Sequence, residues 1–82
     1  MKIGDIVYYV DKEMKFYFDV KILKIINDKK YNCILYQCQI VGNKYKFLNK
    51  QFEFKKERIG EINVYSKLNL CSSLDEAELF IN

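Results

Sequence analysis

The chain has 82 residues, half of them hydrophobic and 16% aromatic, with no histidine, no proline and a net charge of +3. A chain of this length buries only about 60–65% of its unfolded surface and has room for one core, so we expect a single domain over residues 1–82. The composition excludes a disordered or Pro/Gly-rich linker protein, and the absence of histidine excludes Ser-His and Cys-His nucleophile systems.

The first predicted strand spans residues 5–10 and follows a turn signal at Gly4 and Asp5. Glycine supplies backbone freedom there, and the aspartate side chain can accept from neighbouring amides. The Ile, Val and Tyr residues that follow are typical of strands.

The longest β signal is a hairpin of two strands, residues 15–26 and 31–41, joined by a turn at residues 27–30. Period-two alternation predicts a core face on each strand. These faces consist of Phe16, Phe18 and Val20 on the first strand and Ile34, Tyr36, Cys38 and Ile40 on the second. Because the apolar residues between Ile22 and Ile26 cannot share one face, we predict a β-bulge or bend near Leu23 and Lys24. A helix is the competing interpretation of this stretch, but its dense β-branching favours a strand.

Three shorter strands are predicted after this hairpin, at residues 44–48, 51–55 and 62–66. A turn at Gly42, Asn43 and Lys44 introduces the first of them, because glycine and asparagine favour turns.

The chain is predicted to end in a short helix over residues 74–81. Ser73 and Glu76 have the spacing of a capping box, in which the serine side chain accepts from the backbone amide of the glutamate. We expect Leu74, Ala77 and Ile81 to face the sheet.

The two ends of the chain carry a resemblance to a known class of small proteins. Gly4, Asp5, Val7 and Tyr8 form a "GDxVY" strand, and residues 72–78 read "SSLDEAE". In both respects the chain resembles small bacterial and phage SH3-like, or Tudor-like, barrel proteins. The resemblance implies a mainly β fold, a five- to six-stranded antiparallel barrel with a short C-terminal helix. It also implies a non-catalytic protein that binds peptides, nucleic acid or protein surfaces.

Neither catalysis nor a cofactor is expected. The three cysteines, Cys33, Cys38 and Cys71, include no CxxC pair, and Cys33 and Cys38 would point to opposite faces of a strand, so we expect no metal site. No P-loop or GxGxxG motif is present to bind a nucleotide. The odd cysteine count, the absence of a recognisable signal peptide and the short apolar stretches predict a cytoplasmic protein that does not engage a membrane.

Protein recognition is the function that the sequence favours. Seven tyrosines are more than a small barrel can bury, and tyrosine is enriched at interfaces. We expect Tyr9 and Tyr17 on the outward faces of adjacent strands, with Asp19 and Lys21 beside them, as a protein-binding surface. The Lys- and Asn-rich composition is typical of an AT-rich genome and suggests a phage or mobile element. The more specific hypothesis is therefore that the protein inhibits a host defence system, as anti-CRISPR proteins do.

Nucleic-acid binding is the alternative. The stretch from residue 44 to residue 58 carries six positive and two negative side chains, and its positive charges alternate with aromatic rings. The candidate residues are Lys44, Lys46, Lys50, Lys55, Lys56 and Arg58. Against this alternative, strict alternation would place the rings in the core. A homodimer formed through an open strand edge is a further expectation.

Overall fold

The computed structural model describes residues 1–48 and 50–81, apart from the side chain of Asn43. It contains six strands and one α-helix in these ranges: β1 Ile6–Asp11, β2 Phe16–Asp28, β3 Cys33–Phe47, β4 Lys50–Glu53, β5 Ile62–Ser66, β6 Leu70–Cys71 and α1 Leu74–Ile81. Two short 3-10 helices, Lys56–Arg58 and Lys67–Asn69, flank β5. The predicted mainly β fold with a short C-terminal helix is confirmed.

All the strands belong to one antiparallel sheet. Its order is β4-β3-β2-β1-β6, and β5 pairs with β3 off this path. The outer edge of β3 therefore carries two partners, β5 along residues 35–39 and β4 along residues 44–47. In the described part of the chain no ladder joins β5 to β6, and the 3-10 helix Lys67–Asn69 connects them along the chain. This strand order is compatible with a barrel.

Two irregularities bend the long hairpin of β2 and β3. The predicted bulge at Leu23 is confirmed, because Ile22 pairs with Cys38 and Lys24 with Gln37. A second, larger irregularity lies at Asp19. The pairs Phe18–Tyr45 and Val20–Ile40 follow one another along the hairpin. They are separated by one residue, Asp19, on β2 and by four residues, 41–44, on β3. The extra length on β3 lets its two halves follow different directions.

The expected turn at Gly42, Asn43 and Lys44 is wrong, because β3 runs without interruption to Phe47. The predicted strands 31–41 and 44–48 are thus a single strand. Gly42 lies against Asp19, and a Cβ atom at residue 42 would lie 3.5 Å from that side chain. The apparent turn signal therefore marks the bend instead.

The turn between β2 and β3 also lies later than predicted, at residues 29–32. Asp28 remains in the strand and its carboxylate accepts from the backbone amides of Lys30, at 3.0 Å, and Tyr31, at 3.3 Å. Asn32 completes the turn with a φ of 51°. The aspartate therefore organises the turn from the last strand position.

Buried side chains lie on both faces of the sheet. On the concave face the main core consists of Val7, Phe18, Val20, Ile22, Tyr36, Cys38, Ile40 and Leu70. Most of the predicted core is therefore confirmed. The prediction for Ile34 is wrong, since this side chain is 45% exposed near the tip of the hairpin, and Phe16 is only half-buried.

The opposite face of the sheet is covered by α1. A second cluster there consists of Val10, Tyr17, Cys71, Ala77 and Ile81. Ala77 and Ile81 contact the sheet as predicted. Leu74, in the first turn of the helix, is 46% exposed and is not part of this buried cluster.

The start of α1 shows half of the predicted capping box. The backbone amide of Glu76 donates to the Ser73 hydroxyl at 3.2 Å, while the Glu76 carboxylate accepts from Ser72 at 3.5 Å. No helix in residues 1–48 or 50–81 is long and apolar enough to cross a membrane.

Leu48 has a left-handed backbone, with a φ of 49°, and its amide donates to the Lys15 carbonyl at 3.1 Å. That conformation costs an L-residue roughly 1–2 kcal/mol, whereas glycine adopts it freely. Against this gain, glycine loses more conformational entropy on folding, which costs about 0.5–1 kcal/mol. We therefore expect Leu48→Gly to stabilise the protein by about 0.5–1 kcal/mol in urea denaturation. The control is Leu79→Gly at an exposed position in α1, which should cost about 1 kcal/mol. Destabilisation by both variants would contradict the strain at Leu48.

Candidate functional site: an aromatic groove

The concave face of the sheet opens into a groove lined by aromatic rings, called here the aromatic groove. It has a volume of about 690 Å³. Seven rings line it: Tyr9, Phe16, Phe18, Tyr45, Phe47, Phe54 and Tyr65. Met14, Glu53, Lys55, Arg58, Glu61 and Asn63 complete its walls.

The strand register explains why the rings meet. Directly paired residues of antiparallel strands share a face. Phe18 pairs with Tyr9 on one side and with Tyr45 on the other, and Phe16 pairs with Phe47. These five rings therefore project from three neighbouring strands on the same side of the sheet.

The remaining two rings come from the opposite wall. Tyr65 of β5 lies with its ring centroid 4.3 Å from that of Tyr9. Phe54, just after β4, makes an edge-on contact with Phe18 at 5.2 Å and a tilted contact with Tyr45 at 4.8 Å. Such offset and edge-on pairs are each worth about 0.5–1.5 kcal/mol beyond burial, so the rings form a pre-packed surface.

The polar rim of the groove carries balanced charge. Two acidic residues, Glu53 and Glu61, and two basic residues, Lys55 and Arg58, line it. Arg58 forms a salt bridge with Glu61 at 3.3 Å and lies 5.8 Å from the centroid of the Phe54 ring. The rim therefore has no strong preference for a polyanion or a polycation.

The hydroxyls of Tyr9 and Tyr65 are neutral at physiological pH. Burial raises the pKa of both Tyr9 and Tyr65 above the ordinary tyrosine value. The hydrogen bond from the Asn63 amide, at 2.9 Å, and then the bonds from Arg58 lower the pKa of Glu61, which remains ionised. The groove thus offers apolar ring faces, the neutral hydroxyls of Tyr9 and Tyr65, and the ion pair of Arg58 with Glu61.

The four residues expected to form an outward protein-binding surface do not lie together. Tyr9 faces the aromatic groove, while Tyr17, Asp19 and Lys21 lie on the other face of the sheet. Tyr17 is only 8% exposed, so the expectation that it points to solvent is wrong. The reason is α1, which covers this face. Asp19 is half-buried at the bend, and Lys21 is exposed.

Glu78 of α1 joins Tyr17 to the basic stretch. The Tyr17 hydroxyl donates to Glu78 at 2.6 Å, and the Lys46 ammonium donates to both carboxylate oxygens at 2.9 and 3.1 Å. The hydrogen bond from Tyr17 and then that from Lys46 lower the pKa of Glu78, while burial, followed by the bond to Glu78, raises the pKa of Tyr17. These three residues, the Glu78 network, attach the helix to the sheet.

The basic residues of the 44–58 stretch are divided between two faces. Lys44 and Lys46 line a second, more polar groove of about 630 Å³ beside Asp19 and α1. Lys55 and Arg58 line the aromatic groove, and Lys50 of β4 pairs with Phe47 of β3. Lys56 is exposed at the start of the 3-10 helix. They do not form one continuous patch.

The rings of this same stretch are the functional feature that sequence reasoning misplaced. Alternation with lysines predicts Tyr45, Phe47, Phe52 and Phe54 in the core. Three of them, Tyr45, Phe47 and Phe54, are half-buried and line the groove, and Phe52 is exposed on β4. The available signal was the aromatic content of 16%, more than the core of 82 residues can enclose.

The described residues offer no metal centre. Within residues 1–48 and 50–81, no three Cys, Asp or Glu side chains come close enough together to hold an ion. Cys38 and Cys71 are buried free thiols, and Cys33 is an exposed one.

The chain matches no protein-family model, and no curated protein and no solved structure is similar to it at a significant level. Function is therefore inferred from the geometry and chemistry of the site itself.

The Glu78 network generates a prediction about stability. Its contribution depends on ionised Glu78, so it is fully present above the ordinary glutamate pKa and is lost as the pH falls through the lower pKa of the folded state. We expect Tyr17→Phe to cost about 1–2 kcal/mol at neutral pH, because it removes a hydrogen bond to a charged group. The free energy of unfolding, compared at neutral pH and at about pH 3, should show this cost decreasing in acid.

A matched pair of glutamate variants tests the assignment to Glu78. Glu78→Gln should destabilise the protein at neutral pH and approach the wild type in acid, whereas Glu57→Gln on the 3-10 helix should change little at either pH. Equal effects of the two variants would show that the network does not hold the helix.

Proposed function

We propose that this protein is a non-catalytic recognition module that binds an extended, largely apolar segment of a partner protein in the aromatic groove. The observation that supports this proposal is the open row of seven rings with a charge-balanced rim. The proposal replaces the outward surface expected around Tyr17, since that side chain is buried.

Ring faces left open to water favour an apolar ligand. Each aromatic side chain offers a large apolar area, and burying that area is worth about 25 cal/mol per Å². Because the rings already contact one another, binding does not have to order them first. The volume of about 690 Å³ lies within the range of pockets that enclose most of a compact ligand.

The polar rim favours a peptide over other apolar ligands. Neutral tyrosine hydroxyls at Tyr9 and Tyr65, with the amide of Asn63, can exchange hydrogen bonds with peptide groups. Glu53 and Lys55 lie close together on one wall and can read both signs of charge flanking an apolar segment.

Inhibition of a host defence protein is one form of this proposal. In that form, the bound segment belongs to a bacterial protein, and the 82-residue chain acts by occupying the surface its partner needs. The small size of the chain and the aromatic groove support it.

Nucleic acid remains the second candidate function, on one observation. Lys55 and Arg58 lie beside open rings, the combination that binds single strands by stacking and phosphate contact. The balanced rim, the salt bridge of Arg58 to Glu61 and the separation of Lys44 and Lys46 onto another face weigh against it.

A photo-crosslinking amino acid at Met14, which is exposed at the groove, tests the peptide proposal. We expect it to form a defined protein adduct in a bacterial lysate, whereas the same amino acid at exposed Ile62 on β5 should not. With a peptide selected from a display library, Phe54→Leu should weaken binding about tenfold, the loss typical of an aromatic hot spot. Adducts formed equally from both positions, or binding that ignores Phe54, would reject the groove.

Single-stranded oligonucleotide binding tests the second candidate. If the groove binds nucleic acid, affinity must fall steeply with salt because phosphate contacts release counterions. Replacing both Lys55 and Arg58 by glutamine should then reduce the slope of log affinity against log salt by about 1–2. We expect instead weak binding, with a slope of log affinity against log salt that these substitutions leave unchanged. A steep slope that the substitutions reduce would favour nucleic acid over peptide.

A further inference from the structure

The strand β4 forms an open edge of the sheet. It pairs with β3 alone in the described part of the chain, and all four of its residues, Lys50 to Glu53, are exposed. An exposed edge with unpaired backbone groups is a template for another strand. Phe52 lies at its centre, 41% exposed.

The register indicates which backbone groups are free. The Leu48 amide donates to the Lys15 carbonyl on the β2 side, so the Phe47 carbonyl of the same planar peptide points towards β4. Phe47 and Lys50 are therefore a hydrogen-bonded pair. Bonding alternates from there, so Phe52 bonds back to Tyr45. The amide and carbonyl groups of Gln51 and Glu53 consequently point away from β3.

A second copy of the same strand fits this edge by symmetry. A two-fold axis normal to the sheet pairs positions that face the same side, so residues pair only with others of like parity. Placing Phe52 on the axis sets Gln51 of each copy opposite Glu53 of the other. This register uses the outward backbone groups of both Gln51 and Glu53 in each copy.

The side chains are complementary in the same register. On one face, the Tyr45 and Phe52 rings, stacked with centroids 5.5 Å apart, meet the same two rings of the second copy in a continuous row. On the other face, Glu53 lies between its neighbour Lys44 and Gln51 of the second copy, whose amide can donate to it. Lys46, beside Gln51, ends that row.

We propose that two copies of this chain associate edge to edge through β4, with Phe52 on the two-fold axis and Gln51 opposite Glu53 of the second copy. The interface buries the exposed Phe52 ring and completes the free edge. It also places the two aromatic grooves on the same side of a joined sheet.

A disulfide across the axis tests the register directly. Phe52 would be a non-hydrogen-bonded pair with Cα atoms about 4.5 Å apart, within the range that a disulfide spans. In a Cys33→Ser background, Phe52→Cys should cross-link to a covalent dimer under mild oxidation, while Val64→Cys, 49% exposed on β5, should not. Cross-linking at equal rates, or at Val64 only, or at neither position overturns the proposal.

Sedimentation equilibrium of the variants provides a second, independent test. The carboxylate introduced by Gln51→Glu lies beside Lys46 within the monomer, so we expect folding to be preserved. In the dimer it lies opposite Glu53 of the other copy at two symmetric positions, so association should weaken about fivefold. Added salt should restore association. Val64→Ser should leave association unchanged. A wild-type protein that stays monomeric, or a dimer indifferent to Gln51→Glu and sensitive to Val64→Ser, would overturn the edge-to-edge arrangement.

Discussion

The bend at Asp19 is the constraint on which the remaining structure depends. Here one residue of β2 lies opposite four residues of β3, and the long hairpin changes direction. Before the bend β3 accepts β5 as its outer neighbour, and after it β3 accepts β4. A regular hairpin would have left β4 and β5 in line along one edge. The bend instead separates β4 and β5 along β3, and Glu53 of β4 and Tyr65 of β5 both line the aromatic groove.

The two faces of the sheet differ in how they are covered, because α1 packs against one of them. The face that contains Tyr17 is closed by Ala77 and Ile81 of α1 and by the Glu78 network. The face that contains Tyr9 is filled at its centre by the main core and remains open at one end. Aromatic residues lie on both faces, and the larger set of rings lines the aromatic groove on the open one.

Residue patterns predicted the elements well and the site poorly, for a physical reason. Alternation and turn chemistry report which residues share a face, and this placed the hairpin, the bulge at Leu23 and the helix correctly. Alternation does not report what covers a face. Tyr17 was therefore expected outside, although α1 buries it, and Tyr45 was expected inside, although it lines an open groove. The bend at Asp19 was also missed, because its four extra residues resemble a turn.

The strand β1 reads the same in both directions, Val-Tyr-Tyr-Val over residues 7–10, and its two valines are buried on opposite faces. A slip of one residue would still give each face one valine and one tyrosine from this stretch, so hydrophobicity alone specifies the register of β1 weakly. Its ends supply the missing information. The Gly4 amide donates to the Ile22 carbonyl at 2.7 Å, and the Asp11 carboxylate accepts from the Met14 amide at 2.9 Å. The alignment of this strand thus depends on small turn contacts at the surface of the protein as well as on its buried side chains.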